Sequence, residues 1–401
     1  MRTAVLFCEY GSRASYYDDW LDAFTQAEQF QSEAFNIANT AERDVFSQSV
    51  ADYELIVLLH SANADQLIYA NEVLAVLQNR KGKLLSFVGN ELSLPGAPLA
   101  PKIDFLKRVG ADYIATQLLQ ETGEFLYRDT GAVVHSVPHA LNPNAFKPDS
   151  NPHRPIDIGL RSFRYPAVFL GDNDRNAMID YIREMAGQKN LVVDIETEAR
   201  MERSAWAGFL NTCKATISTE AGGHWVEPDD ATLNAILDWI RSKNKQSKQI
   251  VIPSDSMLRK LAHRLPWGVR QWIIKILKSG PIKHESLIGS DEDFDEVFQR
   301  FFKDKPFPPR FSGKCISSRH FDAIGTHTCQ IMLAGRYNDI LSAGEHYIEL
   351  KRDYSNVDDA LDAFRDETFR LNMVRRTREY ICENHTYSHR IDAVYQFVTA
   401  T

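Results

Sequence analysis

The sequence predicts an α/β protein of two domains, each built on a parallel sheet, that face each other across a cleft. Short apolar runs alternate with segments of helical pattern, and this alternation is typical of a parallel sheet covered by helices. A proline-rich connection near residue 150 divides the alternation into two series. The 401 residues suffice for two domains with sizeable cores, and the 44% apolar fraction excludes a disordered or fibrous chain.

Four apolar runs mark the strands of the first domain. Residues 3–7, 55–59 and 84–88 are short and rich in Val, Leu or Ile, as in strands buried on both faces. A fourth run covers residues 132–137. Segments of helical length lie between the runs, so we predict a parallel sheet in a domain of residues 1–148.

The second series follows the connection VPHALNPNAFKP. We predict strands at 156–160, 191–195, 215–218 and 328–333, and helices at 177–185, 204–213, 317–324 and 357–383. These elements define a domain of residues 149–384, which an insertion at about 241–310 interrupts. We expect the terminal helix, 385–401, to pack back on the first domain. Ligands of such sheets bind at the carboxyl ends of the strands, here in the cleft between the domains.

The formal charge of −8 is an average over two unlike parts. The segment 241–283 has eleven Lys or Arg residues and one acid, Asp255, which gives it a charge of +10 and leaves −18 for the rest. An acidic body of this kind repels phosphates, so we exclude a general binder of nucleic acid.

The basic segment contains an apolar stripe at helical spacing, with cations beside it: Leu265, Val269, Trp272, Ile273 and Ile276 against Arg270, Lys275 and Lys278. Tryptophan with Lys and Arg on an amphipathic helix is typical of a helix that lies in a membrane surface. The alternative is a lid helix that packs on its own domain and exposes its cations to solvent. The sequence leaves both interpretations open.

The five cysteines are scattered, without a CxxC pair or the spacing of metal ligands, so we predict no metal site. Reduced thiols favour a cytoplasmic location. The first apolar run is too short for a signal peptide, and no run approaches the ~18 apolar residues of a membrane span.

Three segments resemble GT-B glycosyltransferases. VPHALNPNAFKP resembles the linker between their two domains, and FDAIGTHTCQI, residues 321–331, resembles their nucleotide-sugar segment. HTYSHR, residues 385–390, resembles the ending of the spore-maturation-type (CgeB-like) subgroup. The same subgroup has an R-x-FE pattern, and residues 319–322, Arg-His-Phe-Asp, resemble it. The resemblance is best over about 312–392, and it implies a GT-B fold of two Rossmann-like domains.

The resemblance also implies an activity. A hexosyltransferase-like enzyme would move a sugar from a nucleoside-diphosphate donor to a glycan or lipid-linked acceptor, with neither an obligatory metal nor a tightly bound cofactor. The setting that it implies is bacterial cell-surface polysaccharide or glycolipid assembly at the inner face of the membrane, with retention of anomeric configuration favoured.

Three positions depart from the family pattern. The ribose-binding Glu of the family is Asp322 here, and its earlier Glu, eight positions before, falls at Lys314. The Gly-x-Pro turn is replaced by His327-Thr328-Cys329. The sequence does not decide whether these departures mean an altered donor or a lost activity.

The candidate ligands of the diphosphate are cations and a helix start. Arg161 and Arg164 follow the first strand of the second domain, and a guanidinium binds phosphate oxygens in a bidentate way. Ser317 and Ser318 precede Arg319 at a predicted helix N-terminus, where N–H groups and the helix dipole favour anions. The alternatives are surface arginines, plain N-capping and an i,i+3 ion pair between Arg319 and the ribose-binding candidate.

Other candidates lie after further strands. Glu220, Gly222 and Gly223 follow one strand, and paired glycines allow the backbone to approach a donor closely. His60 and Glu91 follow strands of the first domain, and each is a candidate for the general base of an inverting reaction. Arg161 is the candidate for stabilising the leaving group. The alternative interpretations are an ordinary turn at the two glycines, a histidine at the end of a strand with its hydrogen bonds satisfied at His60, and a polar loop residue at Glu91.

The sequence therefore predicts a glycosyltransferase whose partners are a nucleotide sugar and a glycan or lipid-linked acceptor. A nucleotide-sugar epimerase of the same fold is one alternative. A non-catalytic module that binds sugar nucleotides or glycans is the other, and Lys314 in place of a Glu favours it.

Overall fold

The computed structural model describes residues 1–9, 15–64, 67–150, 153–167, 171–198, 201–243, 250–252, 282–284 and 292–400. Most of the basic segment 241–283 lies outside these described residues, including the stripe around Trp272. The prediction of an interfacial or lid helix there is therefore not addressed by the structure.

In the described part of the first domain, six parallel strands form one sheet in the order β2-β1-β3-β4-β5-β6. They are β1 (Arg2–Phe7), β2 (Gln31–Asn36), β3 (Leu55–Leu58), β4 (Lys83–Phe87), β5 (Tyr113–Thr116) and β6 (Val133–Ser136). The helices between them are α1 (Ser15–Gln26), α2 (Thr40–Ser49), α3 (Ile68–Glu72), α4 (Leu74–Gln78), α5 (Ala100–Val109) and α6 (Gln120–Tyr127).

The residues of β1 to β5 explain why this sheet forms. β3 and β5 are buried along their whole length, and apolar side chains of β1, β3 and β4 enter both of the cores that flank the sheet. Strands covered on both faces in this way need helices on each side, which the crossovers α1 to α6 supply. The predicted α/β organisation of the first domain is confirmed.

The second domain contains a five-stranded parallel sheet in the order β11-β10-β9-β7-β8, as described. Its strands are β7 (Ile156–Arg161), β8 (Val193–Glu196), β9 (Cys213–Ser218), β10 (Cys329–Leu333) and β11 (Ile348–Leu350). Its helices are α7 (Asp174–Gln188), α8 (Arg203–Asn211), α9 (Ala231–Lys243), α10 (Phe294–Phe301), α11 (Ser318–Gly325), α12 (Val357–Arg365) and α13 (Glu367–Asn384), and α14 (Tyr387–Thr399) ends the described chain. Two short parallel strands, Ile250–Ile252 and Ile282–His284, pair with each other apart from this sheet.

Two predicted helices end differently in the structure. The helix predicted at 204–213 ends at Asn211, because Cys213 already begins β9. The helix predicted at 357–383 is two helices, because Asp366 has an extended ψ of 97° and its carboxylate caps α13 by accepting a hydrogen bond from the Phe369 N–H at 2.9 Å. A cap of this kind ends one helix and starts the next.

The last helix, α14, packs on the first domain. Its buried side chains Tyr387, Ile391, Val394 and Val398 belong to the same apolar cluster as Trp20 of α1. The HTYSHR segment makes the crossing, because the His385 carbonyl accepts from the Leu141 N–H at 3.0 Å. The chain end therefore ties the second domain to the connection and to the first domain.

Among the described residues, no helix is both long enough and apolar enough to cross a bilayer. The five cysteines are free thiols, and four of them are buried.

Candidate functional site

A cleft of about 510 Å³ separates the two domains at the ends of their strands. Residues that follow β4 and β5 line one side, and residues that follow β7, β8 and β9 or begin α11 line the other. The first domain contributes Tyr16, Tyr17, Asn90, Glu91, Leu92, Leu94, Pro95, Gln117, Leu118 and His139. The second contributes Arg161, Phe163, Tyr165, Pro166, Arg175, Met201, Arg203, Trp206, Ala221, Gly222, Gly313, Cys315, Ile316, Ser317, Ser318, Arg319 and Asp322. Such a position at the carboxyl ends of parallel strands is where ligands of these sheets bind.

Arg161 lies at the end of β7 and lines the cleft from a fixed position. Its Nη1 and Nη2 donate to both carboxylate oxygens of Asp194 at 2.9 and 2.8 Å. Its guanidinium carbon lies 3.8 Å from the ring centroid of Phe209. The Arg161 carbonyl in turn accepts from Arg319 Nη1 at 2.6 Å, so the two arginines are held beside each other.

Arg175 is a further cation of the cleft, in the first turn of α7. Its guanidinium carbon lies 4.0 Å from the ring centroid of Tyr165, and it has no ion pair in the described part of the chain. An unpaired guanidinium that faces a cleft can bind an incoming anion without first losing a carboxylate partner.

The start of α11 forms the floor beside these arginines. Ser317 is the N-cap, and its N–H donates to His320 Nδ1 at 2.9 Å. Burial lowers the pKa of His320 to about 4, so this imidazole is neutral at pH 7. The first N–H groups of a helix have no partner within the helix, and here they adjoin the side chains of Ser317 and Ser318 at the cleft.

Asp322 lies one turn further along α11 and is 3% exposed. Its Oδ2 accepts a hydrogen bond from Trp206 Nε1 at 3.0 Å. Burial, and then the nearby charge of Asp19, raise the pKa of Asp322 well above its ordinary value. The structure thus places Asp322 in the cleft, beside the arginines and the helix start.

Gly222 lies at a close approach of two backbones. Its φ is +86°, and a Cβ at this position would overlap the carbonyl oxygen of Gly313. Gly222 lines the cleft, whereas Glu220 and Gly223 lie behind that surface. Glu220 is buried and accepts from the Tyr337 N–H at 2.8 Å, and burial raises its pKa.

Glu91 lines the cleft, but both of its carboxylate oxygens have partners. Oε1 accepts from the hydroxyls of Thr116 at 2.6 Å and Tyr127 at 2.7 Å, and Oε2 accepts from the Gln117 N–H at 2.7 Å. Burial raises the pKa of Glu91, although these hydrogen bonds oppose the shift.

His60 lies beneath the cleft rather than on its surface. It is 1% exposed, and neither ring nitrogen has a hydrogen-bond partner among the described residues. The rings of Trp20, Phe87 and His139 surround it at centroid distances of 4.9 to 5.5 Å. Burial lowers the pKa of His60 well below its ordinary value, which keeps the imidazole neutral.

Arg164 is not brought to the cleft. Its two terminal nitrogens donate to the carboxylate of Asp180, each at 2.6 Å, and its side chain is 41% exposed. The structure therefore assembles most of the predicted residues and leaves four of them outside the lining: His60, Arg164, Glu220 and Gly223.

Asp172, Asp174 and His224 offer three ligand atoms within 4.8 Å of one another, the spacing of a metal site. Two cations of the chain already bind there. Lys314 Nζ contacts Asp172 and lies 3.4 Å from Asp174 Oδ2, and Arg352 Nη1 lies 2.7 Å from the same Oδ2. A divalent ion would have to displace the ammonium of Lys314, so these residues fit an ion-pair network better than a metal centre.

One ion pair joins the two walls of the cleft. Arg203 of α8 donates to Asp19 of α1 at 2.8 Å, and Asn142 donates to the same carboxylate oxygen at 2.7 Å. Burial raises the pKa of Asp19 to about 6. This pair holds the second domain against the first.

Sequence reasoning missed Arg175, Arg203 and Trp206. Each lies in a helix that follows a strand of the second sheet, within or near its first turn. The loop after every strand is a candidate for the cleft, and applying that rule to β7 and β8 as far as the next helix would have found all three.

No protein-family model matches the chain, and no curated protein matches it in sequence. Solved structures do match over its whole length. Anabaena HepE, in complex with UDP and glucose, has a TM-score of 0.52 at 7% identity, with 100% of both chains covered. Sucrose-phosphate synthase from Thermosynechococcus elongatus has a TM-score of 0.50 at 10% identity, covering 100% of this chain and 99% of its own. With its two parallel-sheet domains across a cleft, this chain has the GT-B fold that the sequence predicts.

Proposed function

We propose that this protein is a glycosyltransferase that moves a sugar from a nucleoside-diphosphate donor to a glycan or lipid-linked acceptor. One observation carries the proposal. Arg161, Arg175, Arg319 and the N-terminus of α11 meet on one wall of the cleft, at the carboxyl ends of the second sheet. A diphosphate leaving group needs such focused positive charge, because charge develops on it as the bond to the sugar breaks.

The cleft residues have distinct proposed roles. Arg161, Arg175 and Arg319 would neutralise the diphosphate, and the hydroxyls of Ser317 and Ser318 and the N–H of Ser318 would bind its oxygens. In this arrangement no metal is needed to neutralise the leaving group.

Asp322 would bind the ribose, one turn beyond the phosphate site. The backbone at Gly222 would line the donor sugar, and Glu220 and Gly223, behind the cleft surface, would support that turn. The positive φ of Gly222 and its contact with Gly313 support this role, since a larger residue would close the approach.

The structural neighbours support the identity of the donor. The HepE structure contains bound UDP and glucose. A nucleoside-diphosphate hexose is therefore the donor that we propose for this chain, and UDP is the first nucleotide to test.

The surroundings of the candidate bases support a retaining reaction. An inverting transfer needs a base that can accept the acceptor's proton. The three hydrogen bonds on Glu91 occupy both of its oxygens, and His60 lies below the surface of the cleft. These two residues remain the candidates if the reaction inverts.

The setting that we propose is bacterial cell-surface polysaccharide or glycolipid assembly, in the cytoplasm at the membrane surface. The HTYSHR ending supports membership in the spore-maturation-type subgroup. The +10 charge of residues 241–283 supports contact with anionic lipid, at about 1 kcal/mol per basic residue near the surface. Flotation with vesicles of neutral lipid, with and without 30% anionic lipid, tests this, and equal binding to both would remove the electrostatic argument.

A nucleotide-sugar epimerase and a non-catalytic binding module are the alternatives. Lys314 favours the module, because it puts an ammonium where the family has a Glu near the donor sugar. In the structure the ammonium of Lys314 pairs with Asp172, and the Lys314 side chain is 5% exposed. It therefore does not itself block the cleft.

The decisive experiment is a binding screen with UDP, GDP, CDP and ADP, followed by turnover of the matching nucleotide sugars. A nucleotide at 100 times its Kd should add about 2.7 kcal/mol to the free energy of unfolding. No stabilisation by any of them would sink the transferase and the epimerase together. Binding without turnover, with glycan and lipid-linked acceptors supplied, would favour the module.

Variants locate the site. Replacing Arg175 or Arg319 by Ala should weaken nucleotide binding about 10-fold or more, because each removes a charge-assisted hydrogen bond. Arg183→Ala is the matched control, since this arginine lies on the same helix as Arg175 but donates to the Ile195 carbonyl outside the cleft. Arg164→Ala tests the remaining predicted arginine, whose pairing with Asp180 supports a smaller loss.

A further inference from the structure

The carboxyl group of Asp322 is only half engaged in the structure. Its Oδ2 accepts from Trp206 Nε1, whereas Oδ1 has no hydrogen-bond partner among the described residues. The residue is 3% exposed and still lines the cleft. Oδ1 is not enclosed by the protein, so it opens on the cleft, where a hydroxyl group of a ligand can reach it.

Trp206 cannot easily move away from Asp322. It is 8% exposed in α8, its ring stacks near Phe209 at 5.8 Å, and the guanidinium of Arg319 lies 6.0 Å from the indole ring. The indole N–H is a donor only, so a buried tryptophan needs an acceptor such as Asp322 Oδ2. The hydrogen bond therefore fixes one oxygen and directs the other.

The charges around Asp322 come from both walls of the cleft. Arg319 and Arg203 favour its ionised form, and Asp19 opposes it. The carboxyl group also lies on a side chain one methylene shorter than Glu. A group held in this way cannot swing to meet two neighbouring hydroxyls with two free oxygens.

We propose that Trp206 is a specificity-determining residue that makes Asp322 a one-oxygen ligand for the ribose of the bound nucleotide. Asp322 Oδ1 forms the hydrogen bond with one of the two ribose hydroxyls, and the other hydroxyl is not recognised by this carboxyl group. The inference rests on the proposed function, and it adds which part of the nucleotide the cleft discriminates and which residue sets that discrimination.

The test uses the nucleoside diphosphate that binds most tightly among UDP, GDP, CDP and ADP, together with its 2′-deoxy and 3′-deoxy forms. We expect isothermal titration calorimetry of the native protein to show that one deoxy form binds about 10-fold more weakly than the parent nucleotide, because it lacks the hydroxyl that Asp322 recognises. The other deoxy form keeps that hydroxyl and should bind within about 3-fold of the parent. Equal losses for both forms would overturn the inference while leaving the proposed function intact. If none of the four diphosphates binds, the proposed function and the inference fall together.

Trp206→Phe tests the residue itself. The variant keeps an aromatic ring but frees Asp322 Oδ2, so the gap between the two deoxy forms should shrink to within about 3-fold. A purely structural tryptophan would weaken all three nucleotides equally and leave their ratios unchanged, which would contradict the proposal. Trp239→Phe, in α9 and outside the cleft, is the control and should leave the affinities and their ratios unchanged. The native protein's own ratios stand as a test even if the Trp206 variant folds poorly.

Discussion

Lys314 carries a charge into the interior of the second domain, where its side chain is 5% exposed. Its ammonium lies between the carboxylates of Asp172 and Asp174. Burial opposes ionisation of Asp174, yet the hydrogen bond with His224 and the charge of Lys314 lower the pKa of Asp174 overall. The buried Lys314 is thus compensated by Asp172, in the loop before α7, and by Asp174, the first residue of α7.

Replacing Lys314 by Met should therefore be costly. The change leaves the buried carboxylate of Asp172 and the half-buried one of Asp174 with fewer counter-charges, and breaking a buried pair by removing one partner costs about 3–5 kcal/mol. Urea unfolding measures the loss. Lys83→Met is the control, because Lys83 pairs with Asp112 at the surface with its side chain 62% exposed, and such pairs contribute less than about 1 kcal/mol. Equal stability of the two variants would contradict the assigned role of Lys314.

The ionisation of Asp19 makes the free energy of unfolding depend on pH. Its pKa is raised from 3.8 to about 6, chiefly by burial, so the folded protein binds this proton more tightly than the unfolded chain does. The stabilisation is therefore present at low pH and is lost as the pH rises through about 6. The shift corresponds to about 3 kcal/mol at full ionisation.

Asp19→Asn removes the carboxyl group and so isolates its contribution to the free energy of unfolding. The free energy of unfolding of the native protein relative to the variant should fall by about 2 kcal/mol between pH 4 and pH 7.5, because only the native protein has this carboxyl group to ionise. Histidines and other groups titrate in both proteins, so they cancel in the difference. A difference that stays flat, or rises with pH, would show that Arg203 and Asn142 compensate the burial of this carboxylate.

At the level of elements, α11 combines two tasks. Its N-terminus faces the cleft, and its side chains Phe321, Ala323 and Ile324 are buried against β10 and α13. The predicted helix at 317–324 differs by one residue at each end from the observed one. The sequence located it well because an N-cap serine and an apolar face are both local signals.

The break at Asp366 is the element-scale prediction. Asp366→Ala should cost about 1 kcal/mol, because the N-cap hydrogen bond to the Phe369 N–H at the start of α13 is lost. Thermal or urea unfolding measures it. Asp362→Ala, in α12 and 80% exposed as a side chain, should change the stability by no more than about 0.5 kcal/mol. A larger loss for Asp362 than for Asp366 would mean that the break is not set by this cap.

At the scale of the whole molecule, the domains are joined by more than the connection. Arg203 pairs with Asp19 across the cleft, Arg336 pairs with Glu121, and α14 packs on the first domain. The cleft walls therefore have a defined spacing in this structure.

Ile391→Ala tests the docking of α14. Ile391 is 2% exposed in the core of the first domain, and its truncation should cost about 2–5 kcal/mol in unfolding free energy. The exposed Gln396 of the same helix is the control, and its replacement by Ala should change stability by no more than about 0.5 kcal/mol. Unfolding of the two variants at the same urea concentration would mean that α14 contributes little to that core.

Much of the fold was predictable because its signals are local. The runs at residues 3–7, 55–59 and 84–88 coincide with β1, β3 and β4 to within a residue. Within the two large sheets, the strands that the sequence did not reveal are β2, β5 and β11. β2 carries polar side chains at the edge of its sheet, and β5 and β11 are only four and three residues long, so none gives a clear period.

The candidate site was predictable only in part. Its helix start and Asp322 follow from a segment that resembles a known family, but the partners of the arginines come from distant parts of the chain. Arg161 meets Asp194, and Arg164 meets Asp180, so one stays in the cleft and the other turns to the surface. No local pattern distinguishes these two residues, three positions apart.

The sequence by itself determined the alternation of strands and helices and the charge contrast between the body and residues 241–283, because periodicity and charge are properties of short segments. The tertiary structure alone decided which cations face the cleft, that Lys314 is buried among acids, and that Trp206 holds one oxygen of Asp322. The physical reason is that hydrogen bonds and ion pairs at the site join residues far apart in the chain, 33 positions for Arg161 and Asp194 and 116 for Trp206 and Asp322. Such pairings exist only once the sheets have brought their strand ends together.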